Sequence, residues 1–232
     1  MSDTTRPPFL RRLWREWLRP LAAAIVVVGS LRTAVADWND VPTGSMRPTI
    51  LEGERIVVNK LAYDLKLPFT RVRLARWDEP RRGDVVVLFS PQDGKRLVKR
   101  VVGIPGDRLE ARGGRLAVNG RPFAYEAADV ATRDEIGALG DAHLVLTEWL
   151  GDRSHLVMHA PVPFAPRTFG PVVVPEDSYF VMGDNRDESF DSRFFGLVPR
   201  DAITGRAVAI AASVDPERHY LPRWQRFFRR LR

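Results

Sequence analysis

Ser45 is the first residue of this chain with a claim to chemistry. It lies in Val41-Pro42-Thr43-Gly44-Ser45-Met46-Arg47-Pro48-Thr49-Ile50. Pro42, Gly44 and Pro48 oppose a regular helix and set the serine in a constrained bend. A serine hydroxyl is a weak nucleophile until a neighbouring base takes its proton. A lone Gly-Ser pair is most simply a loop, so the question is which residue would be the base. Lys99 is one answer. In a strand Leu97-Val98-Lys99-Arg100-Val101-Val102-Gly103-Ile104 the side chains alternate, so Lys99 shares a face with Leu97 and Val101. Apolar surroundings disfavour the ammonium and bring the amine into the range of a general base near neutral pH. The opposing reading is an edge-strand lysine pointing at water, and spacing alone favours that one.

Other chemistries fit less well. The four histidines are His143, His155, His159 and His219; three lie in one polar stretch, one lies in a basic end, and none belongs to a compact motif. A zinc site needs three or four ligands at defined spacing. His155 and His159 are four apart, but Leu156 stands where a H-E-x-x-H site needs glutamate. With no cysteine, thiolate metal sites and disulfides are excluded. No metal and no cofactor is expected. The acidic run Gly183-Asp184-Asn185-Arg186-Asp187-Glu188-Ser189-Phe190-Asp191-Ser192-Arg193 lacks the twelve-residue calcium loop with its terminal glutamate. It can instead buttress a site. In an extended segment Ser189, Asp191 and Arg193 would share one face.

The elements that must position these residues read as mainly β. Strands are expected over 55–63, 83–89, 97–104, 178–182 and 203–212, from β-branched and apolar runs bounded by turn formers. Residues 64–82, with Pro68, Pro80 and many arginines, read as a solvated loop. Gly113-Gly114 and Asn119-Gly120 mark hairpins. Residues 125–170 are more polar and look like part of an inserted β-rich lobe, with 171–175 returning to the main body. No internal repeat is present.

Before Ser45 stands the apolar run 21–31, continued past Arg32 as Ala34-Val35-Ala36. As a helix, 21–36 would be about 24 Å long, short for a bilayer core unless Arg32 snorkels. An uncleaved anchor and a cleavable secretory signal are both consistent with it. Arg32 weighs against the signal. Either way, Arg6 to Arg19 precede the span and Asp37 and Asp40 follow it, which places the rest outside the cytoplasm. The net charge of +7 is concentrated at the two ends. That points to anionic lipid; no nucleic-acid-binding motif accompanies it, so a nucleic-acid partner is not expected. The basic stretch from Arg223 to Arg232 can lie flat on a membrane or fray into solvent.

Three stretches, in this order and directly after an anchor, resemble the bacterial type I signal peptidase (leader peptidase) family. They are Pro42-Thr43-Gly44-Ser45-Met46, the run from Lys99 through Asp107, and the run from Gly183 through Arg193. The resemblance covers about 20–215. It implies a Ser45 nucleophile with Lys99 as general base. It implies an oxyanion hole from the Thr43 hydroxyl, where the family usually has serine, and the Ser45 backbone N–H. Ser189 would orient Lys99, and Asp191, Arg193 and Arg100 would support them. Val41, Pro42, Ile50, Ile56, Val87 and Val98 would line shallow pockets for the small side chains of an Ala-x-Ala site. The implied partners are signal peptides of translocated preproteins, the bilayer and the export machinery. The implied location is the bacterial inner (cytoplasmic) membrane, single-pass, with the active site on the extracytoplasmic side. The expected architecture is an antiparallel β catalytic core with an inserted β-rich lobe, preceded by one N-terminal transmembrane helix. Its parts are a basic cytoplasmic segment (1–19), an anchor (20–36), a catalytic core (37–107 and 171–215), the lobe (108–170) and a basic C-terminal segment (216–232). The rival readings are a regulatory Ser-Lys autoprotease and a tethered scaffold that binds signal sequences without cutting.

Overall fold

A computed structural model describes residues 13–22, 29, 36–67, 70, 72–129 and 143–231. The described chain is mainly antiparallel β, with strands β1 (Ala36–Asp40), β2 (Glu54–Asn59), β3 (Asp64–Lys66), β4 (Arg73–Arg76), β5 (Val85–Phe89), β6 (Arg96–Gly103), β7 (Arg108–Arg112), β8 (Arg115–Val118), β9 (Arg121–Pro122), β10 (Ala124–Ala127), β11 (Leu144–Leu150), β12 (Arg153–His159), β13 (Phe169–Val173), β14 (Ser178–Met182), β15 (Val198–Pro199), β16 (Ile203–Asp215) and β17 (Leu221–Pro222).

The main sheet runs β1-β2-β16-β5-β6-β14-β15, with β17 also paired to β16. Its strands come from 36–103 and from 178 onward, so the chain leaves the sheet after β6 and returns at β14. In between, β13-β7-β8-β9 form one small sheet and β10-β11-β12 another. Residues 171–173 therefore pair with the lobe strand β7 rather than with the main sheet. The 64–82 stretch is not the expected loop throughout: β3 and β4 form a hairpin. Its arginines do not all face solvent. Arg73 pairs with buried Asp64, and Arg200 crosses to both Asp64 and Glu79.

Alternation sets the core. Val86, Leu88, Val101 and Val181 form one buried cluster, with Leu97 packed on it. Val41, Met46, Ile50, Ile56, Val58, Val85, Val87 and Ala207 form another, with Val98 packed on it. Neighbouring residues of β6 thus serve opposite faces, as the period of two requires. β6 lies between β5 and β14, so Lys99 is on an interior strand and the edge-strand reading fails.

Residues 13–22 are helical, with Trp14 and Trp17 exposed. No helix among the described residues is long and apolar enough to cross a membrane. Most of the expected anchor, 23–28 and 30–35, lies outside the described residues. Its expected last residue, Ala36, is already paired with Asn59 in β1.

The lobe is locked to the core through charge. Glu148 of β11 and Arg186 are both fully buried and form a two-armed ion pair. Burial raises the Glu148 carboxyl, but the Arg186 charge and hydrogen bonds overcome this and hold it below its ordinary value. Glu148→Gln leaves a buried guanidinium uncompensated and should cost about 3–5 kcal/mol, read as a lower denaturant midpoint; a midpoint within error of the parent would show that the pair is not coupled to folding.

Candidate active site

The Ser45 turn forms where the sequence demands a bend. Gly44–Met46 make a single 3₁₀ turn, closed by Arg47 N–H to the Gly44 carbonyl and followed by Ile50 N–H to the Met46 carbonyl. Met46 and Ile50 bury on one side of the sheet and so anchor the segment after the serine. Val41 anchors the segment before it, and Pro42 stays exposed.

Lys99 reaches this turn from β6. Its Nζ lies 2.6 Å from Ser45 Oγ, and the residue is 2% exposed. Val86 is its cross-strand neighbour. Burial lowers the Lys99 pKa to about 8; Asp191 pulls the other way, Arg193 offsets that, and Asp184 again favours the charged form. The Thr43 hydroxyl donates to Ser45 Oγ at 3.5 Å. Ser45 is the second residue of its turn, where a backbone N–H has no intrahelical acceptor.

Behind the pair, β14 ends at Met182 opposite Arg100, and the chain passes on through Gly183. The 183–186 backbone is gripped from two sides. On one side Met158 N–H bonds the Asp184 carbonyl and Arg186 N–H bonds the Met158 carbonyl. On the other, Asn185 N–H bonds the Ser45 carbonyl at 3.1 Å and Asn185 Nδ2 donates to the Gly44 carbonyl. A Cβ on Gly183 would sit 2.3 Å from both the Ser45 carbonyl oxygen and Ser189 Oγ. Glycine is required there by close approach.

Two carboxylate–guanidinium pairs flank Lys99. Arg100 clasps Asp184 at 2.8 and 2.7 Å and also donates to the Gly83 carbonyl. Burial would raise the Asp184 carboxyl, but Arg100 and the Thr49 hydroxyl, 2.6 Å away, hold it low. Arg193 clasps Asp191 at 2.8 and 2.7 Å, and Asp191 also accepts from Gly183 N–H. Burial again opposes ionisation there, and Arg193 and Gly183 prevail. Arg100 therefore belongs to a pair of its own with Asp184, not to the Asp191–Arg193 group. The latter pair is not made by an extended strand either. Asp191 caps a four-residue helix, Ser192–Phe195, accepting from Arg193 N–H.

Ser189 is fully buried. Its hydroxyl makes no well-formed hydrogen bond, although it lies near enough to the Asp191 carboxylate to help lower its pKa. The expected bond to Lys99 is not formed. The expected pocket residues divide: Val41, Ile50, Ile56 and Val87 join one buried cluster and Val98 packs on it, while Pro42 stands outside. His155 sits 3.4 Å from Glu148 and 3.7 Å from Asp184, where burial and Arg100 push its pKa down to about 3. It is a neutral member of the charge network.

Gly183, Asp184 and Asn185 carry most of the support, yet within the run read as a buttress the sequence singled out none of them. The signal was present in the Gly-Asp-Asn run, but partners that give it meaning, Gly44, Ser45 and Thr49, lie 135 or more positions earlier.

Residues 14–212 match the family model described as signal peptidase, peptidase S26. A signal peptidase I of Pseudomonas aeruginosa is 34% identical over 224 residues, covering 91% of this chain and 77% of that protein. Signal peptidase I of Haemophilus influenzae is 31% identical over 261 residues (92% and 74%). Signal peptidase I P of Bacillus subtilis subsp. natto is 33% identical over 205 residues (88% and 92%). A crystal structure of a signal peptidase I from Enterococcus faecalis is 28% identical over 56% of this chain and 97% of that one, with a TM-score of 0.35, too loose a superposition to bear on the fold.

Gly183→Ala forces the Ser45 carbonyl away from the 183–185 backbone. We expect the variant to fold, because the insertion is one methyl, and to lose at least about tenfold in turnover in a peptide-cleavage assay. Parental turnover would mean that the close approach does not position the serine.

Proposed function

Because this chain belongs to the peptidase S26 family of signal peptidases, we propose that it is a membrane-anchored serine endopeptidase that removes signal peptides by a Ser45/Lys99 mechanism. The observation that carries this reading is the 2.6 Å approach of the Lys99 amine to the Ser45 hydroxyl, made by a lysine that is itself buried.

The chemistry follows from the charge states. The neutral amine takes the Ser45 proton as Oγ attacks the scissile carbonyl, and the ammonium so formed returns a proton to the leaving amine. The product is an acyl-enzyme on Ser45, released when the amine activates water. The tetrahedral oxyanion is stabilised by the Ser45 backbone N–H, with the Thr43 hydroxyl beside it turning from Ser45 Oγ to the oxyanion. The Asp191–Arg193 pair holds the segment behind the base through Gly183 N–H, and Ser189 would turn its hydroxyl to Lys99 in the reacting complex. No metal or cofactor takes part.

Specificity would come from the cluster of Val41, Ile50, Ile56, Val87 and Val98, with Pro42 at the rim. Val41, Ile50, Ile56 and Val87 are almost wholly buried, so a substrate would meet only the edge of this cluster, which would favour small groups one and three residues before the cut, a small-x-small rule. The anchor at 20–36 would set the site at the outer face of the inner membrane, within reach of a preprotein leaving the export machinery. Substrate and serine then meet at one depth, which removes a search through bulk solvent.

Ser45→Ala and Lys99→Ala should each abolish cleavage of a preprotein while leaving circular dichroism unchanged; a scaffold without catalysis would bind the preprotein and never cut it. Lys99 is protonated below its pKa of about 8, so the parent's turnover should rise with pH through that value and level off above it. A flat profile from mild acid to alkali rules out a lysine base. For the anchor, full-length protein should stay with the membrane fraction through a high-salt wash; release with Asp37 as the new N-terminus would establish a cleaved signal instead.

A further inference from the structure

The basic segment 216–231 was expected on lipid or in solvent. Most of it is exposed, Trp224 and Phe228 included, yet it is fixed to the core at several points. Leu221–Pro222 pair with Val214 and Asp215 of β16. Further on, Ile210 N–H bonds the Arg229 carbonyl and Leu231 N–H bonds the Val208 carbonyl. Leu231 packs on the cluster of Val41, Met46 and Ile50. Arg223 donates to the carbonyls of Glu52 and Val214.

Arg226 makes the central contact. Its guanidinium forms hydrogen bonds with both carboxylate oxygens of Glu54 and donates to the Thr49 carbonyl at 3.0 Å. Glu54 is 1% exposed. It also accepts from Leu51 N–H and the Ser213 hydroxyl, each at 2.9 Å. Glu54 thus ties the backbone after Ser45 to β16, and Arg226 closes that knot. Thr49 faces the other way with its hydroxyl, which donates to Asp184 at 2.6 Å. The next residue, Asn185, holds the Ser45 carbonyl. A continuous path therefore runs from Arg226 through Thr49 and the 184–185 backbone to Ser45.

We propose that Arg226 is a positioning residue for the Ser45–Lys99 pair, fixing the 49–54 segment so that the serine hydroxyl stays on the lysine amine. It touches no reacting atom. The proposal rests on the reading of Ser45 and Lys99 as the catalytic pair. The 45–54 segment has no strand of its own before β2, so its placement depends on such cross-links. A guanidinium suits the task because it can bind a carboxylate and a carbonyl at once in a fixed plane. An ammonium can meet two acceptors but offers no fixed fork for the two carboxylate oxygens and the carbonyl together.

The test uses the full chain. Arg226→Met alone leaves the Glu54 carboxylate buried without its cation and can unfold the protein, so the decisive variant is the double substitution Arg226→Met/Glu54→Gln. It removes both charges, keeps a carbonyl acceptor for Leu51 N–H while the amide NH2 can donate to the Ser213 hydroxyl, and loses the hold on Thr49. Steady-state cleavage of a signal-peptide substrate is measured at 20 °C, with folding checked by circular dichroism. We expect kcat to fall about tenfold while KM moves less than twofold. The midpoint of the kcat–pH profile should move upward, because a displaced Ser45 turn admits water to Lys99. The charged groups facing that amine, Asp184, Asp191 and Arg193, are untouched. Arg226→Lys should fall between parent and double variant. Unchanged kcat and midpoint in a folded double variant overturn the proposal, because a purely structural brace would lower the melting temperature alone. Ser45→Ala separates the two readings. Active Ser45→Ala removes the catalytic pair and this proposal with it. Inactive Ser45→Ala beside an unaltered double variant removes only the role of Arg226.

Discussion

A lysine amine buried against a serine hydroxyl is the contact on which the rest of this structure turns. Removing an ammonium from water is costly, and the protein can avoid that cost by shedding the proton. Two buried carboxylates, Asp184 and Asp191, lie close enough to oppose this. Each is instead clasped by an arginine, Arg100 and Arg193 respectively. Arginine does not give up its proton at any ordinary pH, so it remains the permanent counter-ion. Lys99 is left as the group that can become neutral. The pairs that look like generic buried salt bridges thus have a definite electrostatic consequence at one amine. As stabilising devices such pairs are weak, because desolvation offsets much of the attraction. As devices that keep carboxylates off a lysine they are effective.

Geometry is supplied by backbone as much as by side chains. The 183–186 segment is held between β12 of the lobe and the Ser45 turn. The lobe is therefore part of the support for the serine, through Met158 on the backbone and through the buried Glu148–Arg186 pair. Ser45, Lys99 and Asp184 stand far apart in sequence, so none of this exists until the long-range sheet pairings have formed. The close approach at Gly183 shows how little slack remains once they have.

What was legible in the sequence had local causes. β5, β6, β14 and β16 declared themselves as β-branched and apolar runs, and the period of two assigned Leu97 and Val101 to one face and Val98 to the other before any coordinates. The bend at Ser45 followed from Pro42, Gly44 and Pro48. The failures had non-local causes. The 64–82 stretch reads as a loop because its arginines look solvated, yet Arg73 is paired with Asp64, and Arg200, 136 positions after Asp64, joins them. Asp191 and Arg193 were paired for the wrong reason: a capped helical turn brings them together where an extended strand was expected. The role of Asp184 was hidden because its partners, Arg100 and Thr49, are far away in sequence. The docking of the basic end was not legible because composition records charge and not what meets it.

That last point applies across the chain. A basic excess invites a reading as surface charge, but several arginines here bind main-chain carbonyls in segments without a sheet ladder. Arg100 donates to Gly83, Arg167 to Ala160, Arg193 to Pro166, Arg223 to Glu52 and Arg226 to Thr49. Each of those carbonyls lies in a turn or connection, where no neighbouring strand supplies a donor, and a buried carbonyl left alone is costly. The same five guanidiniums also bind carboxylates. Each therefore fastens an acidic side chain to a carbonyl in a turn or connection. A lysine could supply the charge but not the planar fork that addresses two acceptors in fixed directions. A site assembled from turns needs such cross-links where a site built on helices would not, and this gives a structural reason for the arginines beyond any attraction to lipid.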